Sequence, residues 1–122
     1  MSMGFRFLGV GCLLAGLCGC TYSNEEDLYP INYCDTASVT YSGSVRPIIE
    51  LNCAVAGCHV PGGDAPGDYT SYTGVKARVD DGSLLPSINQ SPDAVAMPPY
   101  GMLSECDIAK ITEWVQQGAP QN

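Results

Sequence analysis

The chain has 122 residues with five Lys and Arg against thirteen Asp and Glu, a formal net charge of −8. It therefore lacks the basic footprint that nucleic-acid binding requires, and its length allows one small domain. The acidic surface favours partners that carry a basic docking patch, through electrostatic steering, or simply keeps the protein soluble.

The N-terminal segment has the features of a bacterial lipoprotein signal. Arg6 supplies positive charge, and residues 7–19 form an uncharged apolar stretch that is too short to span a membrane comfortably. The run Leu17-Cys18-Gly19-Cys20 resembles a lipobox, which implies cleavage before Cys20 and attachment of lipid to Cys20. The alternative is an uncleaved membrane anchor. Both arrangements place the folded part outside the cytoplasm, where disulfides form.

This interpretation divides the chain into a signal peptide at 1–19, a lipid-attached tether at 20–39 and a folded domain at 40–122. The protein is then anchored by lipid to a bacterial membrane. Thr21 follows the lipidation site and is not the Asp associated with retention in the inner membrane, so the outer membrane is preferred.

The predicted domain shows helical patterns and no persuasive strand, which indicates an all-α fold. A first helix is predicted over about 44–52 and a second over about 71–79, with one more turn expected within 83–89. The last helix has Ser104 as its N-cap candidate and an apolar stripe along one side. Gly118 suits the position just after its C-terminus.

Residues 53–59 read Cys-Ala-Val-Ala-Gly-Cys-His and are the most informative part of the chain. Covalent attachment of a c-type haem usually shows as C-x-x-C-H, whereas four residues separate the thiols here. The chemistry needs two sulfurs for thioethers to the haem vinyl groups and an adjacent histidine for the iron. Cys53, Cys58 and His59, the only histidine, provide these groups. The motif predicts one covalently bound haem c.

Three other interpretations of the motif stay open. Cys53 and Cys58 could form a local disulfide with His59 as a surface bystander. A closed zinc site needs four ligands, so it would have to recruit Cys34 or Cys106. A thioredoxin-like redox pair would be expected to have two intervening residues and a flanking βαβ pattern.

The remaining cysteines predict a disulfide. Of the seven cysteines, two leave with the signal peptide, one is lipidated and two belong to the haem motif. Cys34 and Cys106 are left, and an oxidising compartment does not favour two idle thiols. We therefore expect a Cys34–Cys106 disulfide.

The second axial ligand is predicted to be Met97. After signal removal, only Met97 and Met102 could supply a thioether to the iron. Met97 precedes Pro98-Pro99, which would stiffen the loop just after the ligand, so Met102 is the runner-up. The alternative is that Met97 is an ordinary core or surface methionine. Thioether ligation raises the reduction potential relative to a second histidine.

The order of these motifs resembles the class I monohaem cytochromes c, in particular the small lipoprotein cytochrome c domains of bacteria with a C-x4-C-H motif. The resemblance covers about residues 40–120. It implies a small, loop-rich cytochrome c-like fold whose N-terminal and C-terminal helices cross around a haem. It also implies a carrier of single electrons between extracytoplasmic, membrane-associated redox proteins.

Two other functional classes are weighed against an electron carrier. A haem sensor or a peroxidase-like enzyme would need an open iron position or a catalytic acid or base, and the sequence offers no second histidine. We therefore expect no enzymatic activity. The other class is a haem-free structural or binding lipoprotein stapled by disulfides.

Overall fold

A computed structural model describes residues 33–122. The predicted signal peptide, the lipidation site at Cys20 and the tether up to residue 32 lie outside the described residues. Residues 34–122 form one compact unit. The described part contains helices and no strand, which confirms the all-α class for it. None of its helices is both long and apolar enough to cross a membrane.

Five helical elements follow one another within residues 33–122. They are a π-helical turn at Tyr41–Val45, α1 at Arg46–Asn52, α2 at Tyr72–Asp80, α3 at Leu84–Ile88 and α4 at Glu105–Gln116. Each lies close to a helix that the sequence predicts.

The first helical segment begins earlier than predicted, at Tyr41 instead of near residue 44. Thr40 caps it, because its side-chain oxygen accepts a hydrogen bond from the Gly43 amide at 3.1 Å. The Val45 amide donates to the Thr40 carbonyl, five residues back, which is the π-helical pattern. From Arg46 the chain continues as α1, with Pro47 in the first turn and Ile48 and Ile49 buried. This helix leads directly into Cys53.

Serine side chains cap the two longest helices. The Ser71 hydroxyl accepts from the Gly74 amide at 3.3 Å, and the Ser104 hydroxyl accepts from the Asp107 amide at 3.1 Å. These caps satisfy amides that have no partner inside the helix. Gly118 follows the end of α4 with a φ of 89°, as expected of a glycine at this position. The predicted boundaries of α4 are confirmed.

An aromatic cluster of Tyr41, Tyr72 and Trp114 forms one end of the core. The Tyr41 ring centroid lies 5.0 Å from that of Tyr72 and 5.4 Å from that of Trp114. Trp114 is fully buried, and its indole N–H donates to the Pro120 carbonyl at 2.9 Å. The Tyr72 hydroxyl donates to the Ala119 carbonyl at 2.8 Å. The last helix therefore packs against the π-helical turn that leads into α1.

A disulfide closes the unit at its N-terminal side. Cys34 and Cys106 lie at bonding distance, with an S–S separation of 2.10 Å and a Cα–Cα separation of 5.4 Å. This is the pair that the sequence predicts. It ties the chain before the π-helical turn to the first turn of α4, and Val39 in between is buried in the core.

Candidate functional site

A cavity of about 390 Å³ opens on the side of the unit where α1 ends. Its walls come from the end of α1, the loop before α2, the helices α2 and α3, and the segment before α4. The lining residues are Asn52, Cys53, Cys58, His59, Ala65, Pro66, Tyr69, Arg78, Ser83, Leu84, Ser87, Ile88, Val95, Met97, Pro98 and Pro99. Most of this lining is apolar, with a few polar groups, which is typical of a cofactor or small-molecule site.

The four-residue spacer folds so that both motif cysteines line this cavity. The Cys58 amide donates to the Val55 carbonyl at 2.9 Å, and the His59 amide donates to the Cys53 carbonyl at 3.1 Å. These two bonds turn the chain back on itself and leave Ala56 and Gly57 exposed. The two additional residues relative to C-x-x-C-H are therefore accommodated in a local turn.

Cys53 and Cys58 are free thiols in this structure. Cys53 is buried, and burial raises the pKa of its thiol to about 11, with a further contribution from the neighbouring Cys58. The geometry therefore differs from the alternative of a local disulfide. Cys34 and Cys106 bond to each other, so neither is available to complete a zinc site with the motif. Within residues 33–122, no group of three or more His, Cys, Asp and Glu side chains could hold a metal ion.

His59 is buried, and two contacts orient its imidazole. Its Nδ1 lies 2.8 Å from the Pro66 carbonyl oxygen. Because a carbonyl can only accept, this bond assigns the proton to Nδ1 and leaves the lone pair on Nε2. The Tyr69 ring stacks on the imidazole with the centroids 4.0 Å apart and the planes 13° apart. An imidazole that is oriented through Nδ1 in this way can bind a metal through Nε2.

The loop that carries these two contacts depends on a close backbone approach at Gly63. A Cβ atom at this position would lie 1.9 Å from the Cys58 carbonyl oxygen. The loop returns to the motif where the Tyr69 amide donates to the His59 carbonyl at 2.9 Å. The run of Gly and Pro residues therefore lets this segment wrap around the histidine.

The two methionines within the described residues occupy different environments. Met97 is half-buried and lines the cavity, and its amide donates to the Ser87 carbonyl at 3.0 Å, which joins this segment to α3. Met102 is 57% exposed and is not part of the lining. Of the two sequence candidates, only Met97 shares a cavity with His59.

Among the described residues, Arg78 is the only Lys, Arg, Asp or Glu that lines the cavity. Its guanidinium lies 2.9 Å from an Asp81 carboxylate oxygen. The other Asp81 oxygen accepts from the Ser83 amide at 2.9 Å and from its hydroxyl at 2.6 Å. The Ser83 bonds, together with Arg78, lower the pKa of Asp81. The contact with Asp81 thus holds Arg78 at the cavity wall and leaves other N–H groups of its guanidinium for a ligand.

Sequence reasoning did not single out Pro66, Tyr69 or Arg78 as site residues. No spacing rule connects them to the motif, because their approach depends on the path of the glycine-rich loop and on how α2 packs.

Comparison with protein-family models, with curated proteins and with solved structures finds no match to this chain. The function is therefore inferred from the residues of the site and their arrangement.

Proposed function

We propose that this protein is a monohaem c-type cytochrome that carries single electrons between extracytoplasmic, membrane-associated redox partners. One observation supports it above all others. A single, mostly apolar cavity is lined by both free thiols, by the only histidine and by one of the two mature methionines. The residues of this cavity fit one haem c.

Five side chains of the cavity have a counterpart in such a cofactor. Cys53 and Cys58 would hold the haem through thioethers, and His59 and Met97 would bind its iron. His59 suits this role because its Nδ1 is occupied by the Pro66 carbonyl, which leaves Nε2 for the iron. Arg78 would offer a cation to the haem carboxylates at the wall of a mostly apolar lining.

When bound, the haem supplies an iron centre that gains and loses one electron. The protein would keep this centre in one geometry and largely free of water. The apolar side chains Leu84 and Ile88 of the cavity are buried and would exclude solvent from its inner wall. A thioether from Met97 would favour the reduced iron and would occupy the position that a substrate needs. These roles favour a carrier over an enzyme or a gas sensor.

The order of the elements supports a small cytochrome c-like fold. The first helix ends at the haem motif, a glycine-rich loop and two short helices follow, and the Met97 segment precedes the last helix. Contact between the last helix and the π-helical turn at Tyr41–Val45 brings the two ends of the domain together. This contact supports the crossing of terminal helices that such a fold would have.

We also propose that the domain acts at a membrane surface, attached through lipid on Cys20. The lipobox-like run and the oxidised Cys34–Cys106 pair both suit an extracytoplasmic location. The net charge of −8 favours redox partners with a basic docking patch.

The first test is a haem stain after denaturing electrophoresis of the full chain, expressed in a host that attaches haem to secreted proteins. The wild type should stain, and the variant with Cys53→Ser and Cys58→Ser should not. The matched control, Cys34→Ser with Cys106→Ser, also removes two cysteines and should keep the stain. An unstained wild type would favour the haem-free binding lipoprotein instead.

The second test separates an electron carrier from a haem sensor or enzyme. Potentiometric titration should give a reversible one-electron transition, and carbon monoxide should leave the reduced spectrum unchanged because Met97 occupies the sixth position. Rapid carbon monoxide binding by the wild type would contradict a carrier and indicate an open iron site.

A further inference from the structure

The contact between Tyr69 and His59 is closer and more parallel than any other pair of rings in the described part of the chain. The centroids are 4.0 Å apart and the planes differ by 13°. The aromatic pairs elsewhere have centroids at least 5.0 Å apart and are tilted or edge-on. Stacking of this kind favours a parallel arrangement of the two rings.

Two further features keep Tyr69 on the imidazole. Its amide donates to the His59 carbonyl at 2.9 Å, so the backbones of the two residues are joined directly. Gly67 leaves room for the phenol ring, because a Cβ atom there would lie 2.9 Å from Cε1 of Tyr69. The stack is therefore favoured by the backbone hydrogen bond to His59. It is also favoured by the absence of a side chain at Gly67, which leaves space for the phenol ring.

The hydrogen bond and the stack restrain different motions of the imidazole. The bond from Nδ1 to the Pro66 carbonyl fixes one atom of the ring. It leaves the ring free to tilt about that atom, and the Tyr69 face blocks this tilt. The plane of the histidine is consequently defined by Pro66 at one ring atom and by Tyr69 on its flat face.

We propose that Tyr69 is a positioning residue that fixes the plane of the axial imidazole of His59 relative to the haem. This inference rests on the proposed function. In a low-spin ferric haem, the direction of an axial ligand plane sets how the unpaired electron is distributed over the porphyrin. The four ring methyl groups report that distribution through their paramagnetically shifted proton resonances. Loss of the stack should therefore change the pattern of methyl shifts without removing the ligand.

The test compares proton NMR spectra of the ferric protein with single substitutions at Tyr69. Tyr69→Phe keeps the ring and should keep the wild-type pattern of haem methyl shifts. Tyr69→Leu removes the ring and should change the spread and order of these resonances. Its sulfur-to-iron charge-transfer absorption should persist, because the Met97 ligand is untouched. The control Tyr100→Leu removes a tyrosine that is 94% exposed and should leave the spectrum unchanged.

Gly67→Ala provides an independent test that also serves if Tyr69→Leu does not fold. Its added methyl group would press on the phenol ring, so the methyl shifts should move as they do in Tyr69→Leu. Because Gly67 has a φ of 94°, alanine also strains the backbone; Gly62→Ala, at a φ of 76° with nothing within 4 Å of the added Cβ, controls for that strain and should keep the wild-type shifts. Wild-type shifts in either Tyr69→Leu or Gly67→Ala would overturn the inference, as would equal changes in Tyr69→Phe and Tyr69→Leu. A wild type without haem would instead overturn the proposed function, so the two failures are distinguishable.

Discussion

The aromatic cluster and the cavity are two regions of one small unit. They differ in whether their polar groups have hydrogen-bond partners within the protein. In the aromatic cluster, Trp114 and Tyr72 fill the core, and each donates its polar hydrogen to a carbonyl near the C-terminus. In the cavity, two thiols, one imidazole nitrogen and one thioether line a space of about 390 Å³. The aromatic cluster needs no ligand to fill its packing or pair its polar hydrogens, whereas the cavity has groups that suit a ligand.

This difference shows that a chain with few large apolar residues places its core packing and its ligand-binding groups in separate regions. Its only tryptophan is fully buried in the aromatic cluster. The cavity has mainly small and medium side chains, so an apolar plate would complete its packing. Stability should therefore depend most on the first region and cofactor chemistry on the second.

Removal of the tryptophan should have the largest effect on stability. Trp114→Ala should lower the free energy of unfolding by about 3–5 kcal/mol, because it leaves a cavity where a fully buried side chain packs. Urea denaturation of the haem-loaded protein measures this change. The control Leu51→Ala alters a side chain that is 77% exposed and should stay within about 0.5 kcal/mol of wild type. Equal effects of the two variants would contradict a core at Trp114.

Removal of the disulfide should destabilise the fold without loss of haem. Cys34→Ser with Cys106→Ser should cost roughly 2–4 kcal/mol, since the bond closes a long loop in the unfolded chain. The same urea denaturation measures it, with the haem-to-protein absorbance ratio as the second readout. A parallel loss of haem would show that the disulfide and the cavity are not separable.

Met97 and Met102 should respond differently to the same substitution. Met97→Leu should abolish the sulfur-to-ferric-iron charge-transfer absorption and lower the reduction potential, because the iron loses a thioether ligand. Met102→Leu should change neither, because that side chain is 57% exposed and outside the cavity lining. Optical spectra and potentiometric titration decide between them. The opposite pattern would assign the ligand to Met102.

The thiol at Cys53 should be slow to react in the haem-free protein. With a pKa of about 11, it is protonated at pH 8, and only its thiolate attacks iodoacetamide. Because burial raises this pKa, the alkylation rate should climb about tenfold per pH unit until the pH reaches the pKa. Peptide mass spectrometry gives the rate at Cys53, and the urea-unfolded chain is the control. Equal rates at pH 8 in folded and unfolded chains would exclude a buried thiol.

The sequence best predicts the helices whose ends carry capping residues. Ser104 caps α4 and Gly118 follows it, and both can be recognised from the sequence alone. The π-helical turn could not be predicted in this way. The Tyr41 and Ser42 amides donate to the side chain and the carbonyl of Asn122, at 2.7 and 2.9 Å. A turn that depends on a residue at the other end of the chain has no local signature.

The same distinction applies to the candidate site. Cys53, Cys58 and His59 are recognisable because their chemistry depends on sequence spacing, and the preference for Met97 came from its two prolines. Tyr69 reaches His59 only because a glycine-rich loop folds back over the motif. Contacts of this kind depend on tertiary structure, so sequence patterns do not predict them.

The most direct test of the central claim is the mass of the peptide that contains residues 53–59, measured after proteolysis of denatured, acid–acetone-extracted protein. If the protein is a c-type cytochrome, this peptide carries the added mass of one haem and neither Cys53 nor Cys58 can be alkylated. A peptide of unmodified mass with two alkylatable thiols would exclude covalent haem attachment, whatever the shape of the cavity.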